Sequence, residues 1–185
     1  PGVAVDAAGT NAGVGRWVLG STADKVLHEA ERPLLLIRPQ NDRQVTTTPI
    51  NTLVVPLDGS PVAEMVLPIV IDLATQMDLP VVLLQVVPLM AQMYGGCETY
   101  AYDPRLDQEL EAAAVKYMKA ATVRLTSLGL RASYEVFRGY PANQILDAAE
   151  KSSGSMIVMA THGRSGIGRW VLGSVADRVV RASPL

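Results

Sequence analysis

The chain has 185 residues, enough for one domain of about 100–150 residues plus a remainder, and 49% of it is apolar against 18% charged, a balance that supports a buried core and argues against disorder. A net charge of −2 without a Lys/Arg-rich run excludes nucleic-acid binding driven by the phosphate backbone. The run Leu79–Val87 is far short of the ~20 apolar residues of a membrane span, and the single Cys97 leaves no internal disulfide or cysteine metal cluster, which fits a cytoplasmic setting. The opening from Pro1 to Asp6 carries no basic stretch, so no secretory signal is expected, and a start at proline suggests a fragment or a processed form.

Gly15–Leu27 reads GRWVLGSTADKVL and returns as Gly168–Val180, GRWVLGSVADRVV, with ten of thirteen positions identical at an offset of 153 residues. That offset is one domain length, so the pattern predicts tandem domains rather than a solenoid of short units. After the first copy, Pro33 is followed by Leu34–Ile37, a compact apolar run with the signature of a buried strand. Residues 1–38 therefore read as the C-terminal remnant of a first repeat, a helix plus a strand. The polar segment with a proline near each end makes residues 39–49 a linker. Residues 50–185 read as the second unit, which stops at Leu185 just before the equivalent of Leu34–Ile37 and so lacks its own last strand.

Within that unit Leu53–Pro56 is a short strand followed by the turn Leu57–Ser60, and Pro61–Met77 has apolar residues at helical spacing. Val81–Val87 is a second strand, Pro88–Pro104 a loop, and Arg105–Leu128 a long amphipathic helix closed by Gly129. Ala132–Phe137 alternates as a third strand, Pro141–Lys151 is a helix, and Ser155–Thr161 is a fourth strand leading into the repeated motif. Strands alternating with helices predict parallel β-α-β units in an α/β fold, an open doubly wound sheet. Ligands of such sheets sit beyond the carboxyl ends of the strands, which directs attention to the loops after Pro56 and after Met159.

The second loop carries the chemistry. From Ala160 through Thr161, His162, Gly163 and Arg164 to Gly173 and Ser174 it is rich in glycine, and exposed N–H groups of such a loop can cradle an anion. Ser174-Val175-Ala176-Asp177 has the form of a capping box, with Ser174 as N-cap, so a helix N-terminus with free donors lies beside the loop. Glycines that only turn the chain from strand to helix are the plainer alternative, and it stays open at this point.

Gly163 and Gly173, with nine residues between them and Ser174 following, resemble the signature of the universal stress protein family, G-x-x-G, nine residues, then G-[S/T]. Asp58 in Val55-Pro56-Leu57-Asp58 matches the aspartate that the family carries after its first strand. The resemblance covers Ile50–Leu185 and, more thinly, Gly15–Arg38. It implies a sheet ordered 3-2-1-4-5 that binds ATP, with or without Mg²⁺, across strands 1 and 4. By that resemblance Asp58 contacts the adenine or ribose side and Val86 packs near the base. Gly163, Gly173, Ser174 and Val175 surround the phosphates, with Pro56, Leu57, Met159 and Ala160 flanking the two loops. One departure is Ala160, which stands at the first signature glycine.

His162 could hydrogen-bond a phosphate or ribose, and Arg164 could reach a phosphate; solvated roles compete with both. Trp17 and Trp170 read as packing anchors and the methionines as core filler. The resemblance implies a nucleotide-binding regulatory protein, active as a weak ATPase at most, and a homodimer or inter-domain pairing through the fifth strand, which the N-terminal segment or a partner would supply. Two rivals stand beside it: an ATP-hydrolysing or nucleotidyl-transferring enzyme on the same scaffold, and a nucleotide-free interaction module, which Ala160 keeps open. No Walker-type loop supports the enzyme.

Overall fold

The computed structural model describes residues 3–6, 21–30, 33–37, 48–88, 104–161 and 172–183. In chain order the elements are β1 (Val3–Asp6), α1 (Ser21–Glu29), β2 (Leu34–Ile37), β3 (Thr52–Pro56), α2 (Pro61–Glu64) and α3 (Leu67–Met77). They are followed by β4 (Val81–Val87), α4 (Pro104–Ser127), β5 (Ala132–Arg138), α5 (Pro141–Glu150), β6 (Ser155–Ile157) and α6 (Ser174–Ala182).

A strand buried on both faces must be apolar almost throughout, and β3 and β4 are. They form the middle of a four-stranded, wholly parallel sheet in the order β5-β4-β3-β6, with Leu53 opposite Val81 on one side and Met156 on the other. Alternation along the strands divides the core in two. Leu53, Val55, Leu57, Val81 and Leu83 face α3 and α4, where Val70, Ala74, Met118 and Leu125 fill the space. Leu84, Val86 and Ile157 face the other way, against Ile145 and Ala142 of α5 and Val179 of α6. The result is the expected α/β arrangement with helices on both faces.

Four of the five expected strands are in this sheet, in the expected order. Leu34–Ile37 does not supply the fifth by lying on β6; it pairs in parallel with Val3–Asp6, Val3 opposite Leu34, as a separate two-stranded sheet. Val3–Asp6 is a strand that the sequence reading passed over, leaving Leu34–Ile37 without a partner of its own. Its pairing follows from locality, since β1-α1-β2 is itself a strand-helix-strand unit whose two strands are neighbours around one helix.

Other boundaries shift for local reasons. The helix expected over Pro61–Met77 is two helices broken at Met65 and Val66. Pro68 is responsible: it has no N–H to donate, and its ring would clash with the Glu64 carbonyl in a continuous helix. The fourth strand stops at Ile157, although the Val158 N–H still donates to the Val54 carbonyl at 2.9 Å, and Met159–Thr161 leave the sheet to form a wall of the cleft described below. Helix α4 ends as expected at Gly129, whose φ of +85° places it in the left-handed region. Gly129 N–H donates to the Thr126 carbonyl and Leu130 N–H to that of Leu125, a Schellman pair that tucks Leu130 against the core.

Candidate functional site

Beyond the carboxyl ends of β3 and β4 lies a cleft of about 290 Å³. Its floor is strand: Pro56, Leu57 and Asp58 leaving β3, with Leu84 and Val86 from β4. One wall is α5, through Pro141 and Ile145, one helical turn apart. The opposite end is Met159, Ala160 and Thr161 together with the first turn of α6 from Gly173 to Ala176.

Asp58 is fixed by an Asx turn: its Oδ1 accepts the Ser60 N–H at 2.9 Å. Ser60, itself buried, then caps α2, its Oγ accepting the Ala63 N–H at 3.1 Å, with Pro61 in the first turn. Ala63 completes the cleft lining. On the other side of α2, Glu64 accepts a hydrogen bond from the Tyr117 hydroxyl at 2.9 Å and one from the Arg124 guanidinium at 3.1 Å. Burial, and then the Glu64 carboxylate, hold the Tyr117 phenol well above the ordinary tyrosine range.

At the far end, Ser174 does not cap α6. Gly173 is the N-cap, with φ −61° and ψ 143°, and no side chain caps the helix. The first helical bond runs from the Asp177 N–H to the Gly173 carbonyl at 2.9 Å, so Ser174 is already the first helical residue. Asp177 thereby sits one position too far along to close a capping box, and its carboxylate instead accepts from Arg181 Nε at 2.7 Å. That bond, foremost, raises the Arg181 pKa. The Gly173 N–H donates to the Thr161 carbonyl at 2.8 Å, which ties the start of α6 to the end of the segment that follows β6. The N–H groups of Ser174, Val175 and Ala176 precede Asp177, the first N–H donor of the helical ladder, and all three residues line the cleft, at the positive end of the helix dipole. Such a terminus favours an anion.

Nine of the candidate residues are brought together in this cleft: Pro56, Leu57, Asp58, Val86, Met159, Ala160, Gly173, Ser174 and Val175. His162, Gly163 and Arg164 lie outside the described residues. Ala160 lines the cleft without a left-handed backbone, since Asp78 is the only described residue other than glycine with positive φ. A methyl group there therefore brings no backbone strain. Sequence reading missed Leu84, which the two-residue strand period pairs with Val86, and it missed the α5 wall, which no motif marks. Among the described residues no three His, Cys, Asp or Glu side chains gather as a metal site, and no helix is long and apolar enough to cross a membrane.

Residues 49–185 match the universal stress protein family. Universal stress protein MJ0531 of Methanocaldococcus jannaschii is 30% identical over 129 residues, 70% of this chain and 75% of that protein. A universal stress protein of Mycolicibacterium smegmatis is 26% identical over 170 residues, 92% of this chain, which spans only 55% of that relative's length. Among solved structures, hypothetical protein MJ0577 superposes with a TM-score of 0.63 at 25% identity, covering 74% of this chain and 92% of that one. A universal stress protein solved in complex with cAMP has the same fold at 20% identity and a TM-score of 0.53, covering 74% and 93%.

Proposed function

Because the chain belongs to the universal stress protein family, we propose that it is a regulatory protein that binds ATP in the cleft between the end of β3 and the start of α6. The observation that carries this reading is the pairing of an apolar slot with an uncapped helix terminus in one cleft. Val86 and Met159 offer the apolar surfaces a base needs, with Leu84 and Ile145 packed behind them, Asp58 a carboxylate for an amino or hydroxyl donor, and the N–H groups of Ser174–Ala176 acceptor-seeking donors for phosphate. His162, Gly163 and Arg164 join the phosphate end in this reading. A fold neighbour solved with cAMP supports an adenine nucleotide of some kind. Asp58 is the one ionisable side chain in the described lining, so any Mg²⁺ would be held chiefly by the phosphates it accompanies. In this reading hydrolysis is slow, below the ~1 s⁻¹ at which ordinary enzymes begin: among the described lining residues only Asp58 could take a proton, and His162 is the one further candidate base.

The test is calorimetric titration with ATP, AMP and cAMP. One site per chain is expected, and Gly173→Glu, which places a carboxylate at the phosphate end, lowers ATP affinity by about 100-fold or more with the fold intact. Undiminished affinity in that variant sinks the assignment. A second reading, a nucleotide-free interaction module, is favoured by the Ala160 methyl in the cleft wall; it predicts no titratable nucleotide and none released on denaturing the purified protein.

A further inference from the structure

Helix α2 is a single turn of four residues, and the chain leaves the helix again at Met65 and Val66. A helix that short is not stable alone, so its place is set from outside. Its backbone is continuous with the Asp58 turn. Asp58 Oδ1 accepts the Ser60 N–H, Ser60 Oγ the Ala63 N–H, and the Ser60 carbonyl the Glu64 N–H at 3.2 Å. Glu64 therefore stands at the far end of the same small unit that carries Asp58 into the cleft. Its side chain reaches α4, where Tyr117 and Arg124 share one face two helical turns apart. Each takes a different oxygen: the Tyr117 hydroxyl donates to Oε1 at 2.9 Å and Arg124 Nη2 to Oε2 at 3.1 Å. We propose, on the reading of the cleft as an ATP site, that Tyr117 and Arg124 are positioning residues for the nucleotide, which hold Asp58 toward the nucleoside by gripping α2 through Glu64.

Helix α4 is a firm base for such a grip. Met118, Ala121 and Leu125 seat it in the main core, at 0%, 3% and 1% exposed. A carboxylate held through both oxygens is fixed in direction as well as distance, whereas one bond would leave α2 free to pivot. The Asp58 carboxylate lies within electrostatic reach of the grip, since behind burial and Glu64 it too raises the Tyr117 pKa. Neither Tyr117 nor Arg124 lines the cleft, so what they do to a nucleotide passes through α2.

Calorimetric titration of the full chain with ATP tests this as a double-mutant cycle. Tyr117→Phe deletes one oxygen atom and is expected to weaken ATP binding about fivefold, and Arg124→Met, which keeps the aliphatic stem, by a similar factor. In an Asp58→Ala background the same changes are expected to cost nothing further, because the group they position is gone. A merely structural role leaves the same loss in that background, and this result overturns the proposal. Normal ATP binding that neither change weakens overturns the positioning role alone, whereas a wild-type chain that binds no ATP overturns the reading of the cleft as well. Should Tyr117→Phe fail to fold, Arg124→Met carries the test, its side chain being 53% exposed. Should Asp58→Ala bind ATP too weakly to titrate, inorganic tripolyphosphate decides. It has no nucleoside, so the two changes are expected to leave its affinity alone, and a loss there overturns the proposal.

Discussion

Single atoms decide several positions. Gly154 has φ +82°, and a Cβ built there would lie 2.3 Å from the Pro49 carbonyl oxygen. The turn it makes is also tied to the start of β3, since the Asn51 N–H donates to the Gly154 carbonyl at 2.8 Å and the Asn51 side-chain amide to the Ser153 carbonyl. Gly154→Ala is therefore expected to cost at least about 1–3 kcal/mol, read as a lowered midpoint in chemical denaturation. Tyr117 sets an alkaline limit. Its folded phenol holds its proton more tightly than unfolded tyrosine, whose ordinary value is 10.0. Its contribution is thus complete below pH 10 and is lost as pH rises through the folded value. One of the six tyrosines should ionise last in an alkaline absorbance titration, and Tyr117→Phe should remove that late step and flatten stability above pH 10.

At the scale of elements, α2 is only four residues long yet connects the cleft to α4. Ser60→Ala removes its cap at a cost of about 1 kcal/mol. Because the same turn orients Asp58, the variant should also bind ATP more weakly, which titration calorimetry separates from the loss of stability. Strand and helix order was legible because buried strands such as Val81–Val87 are apolar almost throughout, Gln85 apart, and each is followed by a helical period. The break at Met65 was visible only as Pro68, whose effect depends on whether the helix must pass through it. Val3–Asp6 was illegible as a strand: four residues ending in an aspartate carry little pattern of their own, and what makes them a strand is the distant Leu34–Ile37 beside them. The same distinction applies to the cleft. Its glycine-rich end and Asp58 are local motifs, whereas the Pro141–Ile145 wall exists only once α5 has packed across the sheet.

For the whole molecule, the sheet has a firm middle and a thin margin. β3 and β4 each have a bonded neighbour on both sides, whereas β6 contributes three residues and, among the described residues, is bonded to β3 alone. The cleft straddles that difference, with Pro56 and Val86 on the firm strands and Met159–Thr161 continuing directly from the thin one. Amide hydrogen exchange should register this as a gradient. Amides of β4 will retain their protons longest, and those from Met156 to Thr161 will exchange by small local openings at a fraction of the global unfolding cost. A nucleotide spanning the cleft would close those openings without touching the middle of the sheet. Saturating ATP should then slow deuterium uptake at residues 156–161 and 172–176 while leaving β4 as it was, so that occupancy is written as a change in the sheet's least protected margin.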